Sequence, residues 1–127
     1  MIERTVELWH RVVAGDVSIL AELLADDVVF YSPVVFTPQR GKAITSLYLQ
    51  GAAEVLGGTE FRYTKQVLGG RHAVLEFETT VDDKHVNGVD ILSCDDAGRI
   101  VEFRVMLRPL QAVDVVHRRM GELLARQ

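Results

Sequence analysis

Ile2, Val6, Trp9, Val12 and Val13 recur at three- and four-residue steps, the spacing of a helix with one apolar face. Gly15 closes this stretch, since glycine accepts the left-handed backbone at which helices often end. Asp16 stands where a side chain caps a second helix carrying Ile19, Leu20, Leu23 and Leu24. Asp26 and Asp27 interrupt that pattern. Val28, Val29, Phe30 and Tyr31 then predict a short strand, stopped by Pro33. After a loop holding Pro33, Pro38 and Gly41, helical spacing returns over residues 42–56 through Ile44, Leu47, Tyr48, Leu49, Ala52, Val55 and Leu56.

Beyond Gly58 the period shortens, and residues 59–68, 72–81, 85–94 and 99–108 predict four long strands. Asp82-Asp83-Lys84 and Asp95-Asp96-Ala97-Gly98 have hairpin-turn length, so these strands meander antiparallel. Leu75 and Phe77 fall on one face, Glu76 and Glu78 on the other. Pro109 ends the last strand, and Leu110, Val113, Val116, Met120, Leu123 and Leu124 form the stripe of a final helix over 110–126. Helices followed by a meander define an α+β fold, with helices packed on one face of a sheet. Long twisted strands wrapped around helices leave a conical hollow, a natural place for a small molecule.

The chain has 127 residues, 48% of them hydrophobic and 25% charged, which suits one globular domain over 1–127. With 14 basic and 18 acidic residues it carries a net charge of −4 and has no electrostatic reason to seek nucleic acid or anionic lipid. No apolar run reaches the length of a membrane span, and the charged start lacks the pattern of a secretory signal, so a cytoplasmic protein is expected. Cys94 is the single cysteine, which excludes an internal disulfide. The four histidines, His10, His72, His85 and His117, show no ligand spacing, and no glycine-rich nucleotide loop is present. Neither a metal nor another cofactor is expected.

Four segments give the chain a family likeness: Ala14-Gly15-Asp16; Leu24-Ala25-Asp26-Asp27-Val28-Val29-Phe30-Tyr31-Ser32-Pro33; Gly41-Lys42-Ala43-Ile44; and Val89-Asp90-Ile91-Leu92 followed by Gly98-Arg99-Ile100-Val101-Glu102-Phe103-Arg104. In this order and spacing the chain resembles the nuclear-transport-factor-2-like folds, within them the SnoaL-like and ketosteroid-isomerase-like branch. The resemblance covers residues 1 to about 108 and leaves the last helix as an addition. It implies a cone-shaped, curved antiparallel sheet wrapped around the N-terminal helices, an apolar pocket, and a homodimer formed through the sheet face. It does not by itself assign chemistry, because one fold hosts many reactions.

Residue by residue the resemblance narrows. The position of the isomerase base, just before the proline after the first strand, holds Ser32, and a serine hydroxyl is no base without an activating partner. The position of the phenolic oxyanion donor falls at about Leu8, which donates nothing. The third group, an acid kept neutral by its apolar site in the isomerase, is matched by Asp90. The standard isomerase mechanism is therefore not expected. Nor is that of limonene epoxide hydrolase, whose arginine is missing from Leu75-Glu76-Phe77-Glu78.

Asp90 is the leading candidate: it stands in an otherwise apolar strand, with Val86, Gly88 and Leu92 on its face. Buried, its charged form is penalised, and the carboxyl becomes an acid or hydrogen-bond donor. The alternative is a carboxylate satisfied by a structural partner, Trp9 or a tyrosine. Tyr31, Ser32 and His10 are expected to assist. The ligand-binding wall is expected from Trp9, Phe30, Phe36, Tyr48, Phe61, Phe77, Leu92, Phe103, Val105 and Leu107. Val34, Val35 and Phe36 give their loop an apolar character that suits a lid or a subunit contact. Arg104, Glu76 and Glu78 face outward, available for ion pairs across a dimer, and Arg108 stands as a possible guard of the pocket mouth. The expected function is cofactor-independent acid–base chemistry (isomerisation, cyclisation or dehydration) on an apolar, carbonyl-bearing small molecule. The alternative is a non-catalytic ligand-binding or protein-interaction module of the same fold.

Overall fold

A computed structural model describes residues 1–126. Helix α1 (Ile2–Val13) leads through a single 3-10 turn (Val17–Ile19) into the four-residue α2 (Leu20–Leu23). Strands β1 (Leu24–Tyr31) and β2 (Gln39–Arg40) precede α3 (Lys42–Leu56). The meander β3 (Arg62–Gly69), β4 (His72–Val81), β5 (Lys84–Cys94) and β6 (Ile100–Arg108) follows, and α4 (Leu110–Ala125) ends the chain. None of these helices is long and apolar enough to cross a membrane.

The six strands form one sheet in the order β2-β1-β6-β5-β4-β3. The meander is antiparallel throughout, as its turns require, but β1 runs parallel to β6. The sheet is therefore mixed rather than antiparallel. It is also open, with β2 and β3 as its edges.

Two local expectations change at the start of the chain. The second helix shrinks to a turn and a four-residue coil, and Asp16 makes no capping bond; its carboxylate accepts the Ser18 hydroxyl instead. The first strand begins at Leu24 rather than Val28. Leu24, Ala25 and Val28 are buried while Asp26 and Asp27 bulge outward, with the register to β6 shifting between Leu24 and Val29. Asp26 lies 3.3 Å from Lys42 Nζ at the start of α3.

The β4–β5 hairpin turns on two residues only. Val81 pairs with Lys84, and Asp82 and Asp83 take φ of 49° and 65°, the left-handed geometry that suits a tight hairpin. Asp82 also accepts Arg118 at 3.2 Å and Arg119 at 2.5 Å, fastening the hairpin to α4.

Alternation places Leu75, Phe77, Val86, Asp90, Leu92, Phe103 and Val105 on the inner, buried face. Two apolar clusters cover it. One joins α1 (Ile2, Val6, Trp9, Val12) to Leu75, Leu92 and Phe103. The other joins α4 (Ala112, Val115, Val116, Met120) to Phe77, Val81, Val86 and Leu56. Tyr48, Tyr63 and Leu107 touch both. The C-terminal helix thus caps its own sheet. Its buried stripe is displaced from the expected one: Leu110 is exposed, and Ala112 and Val115 point inward.

Gly88 lets the two clusters meet. A Cβ there would lie 2.3 Å from Phe77 Cζ and 2.7 Å from Leu107 Cδ2, and Phe77 is fully buried. Gly88→Ala is expected to cost about 1–3 kcal/mol through overpacking, read as a lower urea midpoint at unchanged slope. A midpoint equal to the parent's would mean that the ring moves freely.

Outward-facing charges pair within the subunit. Arg104 approaches Glu102 at 3.7 Å and covers the Tyr31 ring at 4.0 Å, Glu78 approaches Arg62 at 3.7 Å, and Glu76 accepts the Asn87 amide at 3.0 Å. Within one chain these side chains therefore already have partners. Arg108 lies on the same outer face and donates to Asn87 Oδ1 at 3.3 Å, so it does not guard the inner pocket.

Candidate functional site

Asp90 reaches the interior because strand alternation leaves it no other face. It sits opposite Leu75 on β4 and Val105 on β6, and only 5% of it is exposed. A buried carboxylate needs hydrogen bonds. One comes from β3: the Tyr63 hydroxyl donates to Asp90 Oδ2 at 2.5 Å. The same phenolic oxygen accepts Trp9 Nε1–H from α1 at 2.8 Å. Three elements therefore converge in a short relay, Trp9 to Tyr63 to Asp90.

Burial pushes the Asp90 carboxyl up to about 7, opposed by the Tyr63 hydrogen bond, which favours the charged form. Tyr63 moves up from the ordinary phenol value, first through its own burial and then through the charge of Asp90. It stays a neutral donor. Asp90 is poised to hold or release a proton near neutrality, and its Oδ1 has no hydrogen-bond partner among the described residues.

This carboxyl lines a cavity of about 80 Å³ between the two apolar clusters. Ser32 and the aromatic or aliphatic side chains of Trp9, Phe30, Tyr48, Phe61, Phe77, Phe103, Val105 and Leu107 also line it, in the places the sequence suggests. Among the described residues, Asp90 is the one carboxyl in this wall. In that low-dielectric setting a single hydrogen bond or proton carries more weight than at the surface. No group of three His, Cys, Asp or Glu side chains converges among the described residues.

Four expected site residues lie elsewhere. Tyr31 alternates with Phe30 along β1, so it faces away from the cavity and stacks under Arg104. His10 turns toward β3, where Nε2 meets Gln66 Oε1 at 3.0 Å and the ring packs edge-on to Tyr63. Phe36 is 99% exposed at its loop tip and touches no ligand wall. Leu92 shares the face of Asp90 but is consumed in the α1 cluster. Ser32 lines the cavity, yet its Oγ accepts Val34 N–H at 3.1 Å and Val35 N–H at 3.3 Å, so it serves the turn into the loop. From that loop Pro33 and Val34 reach the cavity.

Tyr63 is the residue the sequence did not single out. Leu8 holds the place of the isomerase phenol on α1, as the sequence shows, and a phenol arrives from the edge strand instead. The available signal was the alternation of Phe61 and Tyr63, which puts both rings on the inner face. Val116 and Met120 of α4, with Leu56 and Gly57 at the end of α3, complete the cavity wall and were likewise not foreseen as lining.

The SnoaL-like domain family matches residues 2–103. The chain belongs to this family. Among solved structures it is similar to a steroid delta-isomerase from Pseudomonas aeruginosa, at 36% identity and a TM-score of 0.93, over 98% of this chain and 92% of that one. It is also similar to an uncharacterised bacterial protein with a cystatin-like fold from Silicibacter pomeroyi, at 30% identity and a TM-score of 0.88, over 95% and 85% of the two chains. An epoxide hydrolase/cyclase-like enzyme, SalBIII, of pyran ring formation in salinomycin shares the fold at 20% identity and a TM-score of 0.67, over 84% and 90%. None of the curated proteins matches. The SnoaL-like match stops inside β6, while the likeness to the Pseudomonas protein spans nearly the whole chain.

Proposed function

We propose that the protein is a cofactor-independent acid–base catalyst acting on an apolar small molecule that carries a carbonyl or comparable oxygen. The observation that carries this reading is Asp90: a carboxyl with one oxygen held by Tyr63, the other unpartnered, in the wall of an apolar cavity. In its protonated form Oδ1–H donates to the ligand oxygen. As negative charge develops on that oxygen the hydrogen bond strengthens, which is where rate is gained. If the proton passes over, Tyr63, backed by Trp9, stabilises the carboxylate left behind. Among the described residues no second carboxylate lines the cavity with Asp90, and Ser32 is committed to its turn. The chemistry therefore suits reactions that one carboxyl completes alone. It either returns a proton it has removed, as in a double-bond shift, or activates an oxygen while the ligand's own hydroxyl adds and gives the proton back, as in ring closure.

The steroid delta-isomerase likeness supplies a first substrate to try. Incubation with a Δ5-3-ketosteroid, followed by the absorbance of the conjugated enone, is expected to give turnover that falls at least about 100-fold in Asp90→Asn, a loss on the scale of a missing general acid. Activity unchanged in that variant would remove Asp90 from the mechanism. The engaged Ser32 hydroxyl favours a second reading, a ligand-binding module. Tight binding of 2-naphthol without turnover of any carbonyl ligand tried would select it.

The outer face of the sheet suits a second copy of this chain. Val67, Val74 and Met106 are exposed there, among Lys65, Glu76 and Arg108. Charges of both signs in one patch complement themselves across a two-fold axis. Light scattering after gel filtration over a range of concentrations should report a dimer; a monomer at high concentration would rule it out.

A further inference from the structure

The cavity is small for a site that takes an organic ligand: about 80 Å³ is room for a few waters. The part of the wall that sets its length therefore decides what fits. Most of the wall is clamped, since Leu49, Phe77 and Phe103 are fully buried in the two clusters. Met120 is different. It is an unbranched, adaptable side chain from α4, and it lies against Gly51 on α3, where a Cβ would stand 3.0 Å from Met120 Cε and 3.4 Å from Leu123 Cδ2. Glycine inside a helix destabilises it, so Gly51 requires a local reason. Its bare backbone provides the socket for the methionine tip.

The sheet register gives the cavity a direction. On β5, Asp90 pairs with Leu75 and Val105, which belong to the α1 cluster. Two residues back, Gly88 pairs with Phe77 and Leu107, at the α4 cluster. The cavity wall includes the Asp90 carboxyl, beside Tyr63 and Trp9, and, from the α4 cluster, Val116 and Met120. We propose that Met120, seated against Gly51, is the specificity-determining end wall, and that the ligand is elongated, with its oxygen at Asp90 and an apolar tail toward α4. This rests on the cavity being the ligand site assigned above.

A series of 4-alkylphenols, from methyl to nonyl, measures this length by titration calorimetry at pH 8. The phenol hydroxyl donates to the ionised Asp90, and each buried methylene is expected to raise affinity about fourfold until the tail meets Met120, where the gain stops. Met120→Ala removes three heavy atoms and is expected to move that break to tails two or three carbons longer. Gly51→Ala pushes Met120 out of its socket and is expected to move the break about one carbon shorter. Asp90→Asn should weaken the whole series without moving the break. A break that stays in place in both Met120→Ala and Gly51→Ala, while the phenols still bind, overturns the end-wall assignment alone. If Met120→Ala does not fold, an unshifted break in Gly51→Ala overturns it. Wild-type protein that binds no member of the series sinks the ligand-site reading and the end wall with it.

Discussion

At pH 8 the Asp90→Asn variant is expected to be more stable than the parent protein by about 4 kcal/mol, and below about pH 4 the difference should vanish. The sign follows from the raised acid. Burial lifts Asp90 from 3.8 to about 7, so the folded state holds its proton more tightly than the unfolded chain does. Stability from this residue is complete below the unfolded value, falls as pH rises through the interval, and levels off above about 7. A shift of about three units corresponds to about 4 kcal/mol. Asparagine copies the neutral acid in size and still accepts the Tyr63 hydroxyl, so it escapes the penalty. The remaining carboxylates are common to both proteins and cancel in the difference. Urea unfolding of both at pH 4, 6 and 8 measures it. Curves with the same separation at all three pH values would mean that the carboxyl is hydrated, and would remove the premise of acid catalysis as well.

Tyr63→Phe should act in the opposite direction on stability. The Trp9 indole N–H loses its acceptor inside the protein, which costs about 1–3 kcal/mol at any pH. Asp90 loses the one hydrogen bond that holds its carboxyl down, so its titration should move above about 7 and its proton should become harder to release. A 13C-detected titration of the aspartate side chains reads the second effect independently of the first. An Asp90 midpoint that drops in Tyr63→Phe would show that the phenol does not stabilise the charged form.

The sequence made the sheet legible because its strands alternate cleanly and its turns carry aspartate and glycine where the backbone must reverse. It was less informative at Leu24-Ala25-Asp26-Asp27, where two exposed charges inside a strand look like its boundary; a bulge accommodates them, and periodicity does not encode a bulge. The parallel pairing of β1 with β6 was equally hidden, since the alternation within a strand does not say which strand lies beside it. For the site, Asp90 stood out because a charge in an apolar strand is conspicuous. Its partner was foreseen only as Trp9 or some tyrosine, because a tyrosine in a strand resembles any other core aromatic. His10 was drawn in by its neighbour Trp9, and Tyr31 by its place at the junction of strand and loop, but helical rotation and strand alternation turn them away from the cavity.

The Trp9–Tyr63–Asp90 relay has an optical consequence. The chain contains a single tryptophan, and its indole nitrogen is one phenol removed from the acid. A proton gained or lost at the carboxyl, or an oxygen docked on it, changes the field at that chromophore. The fluorescence of the unlabelled protein is thus a built-in reporter of its own interior.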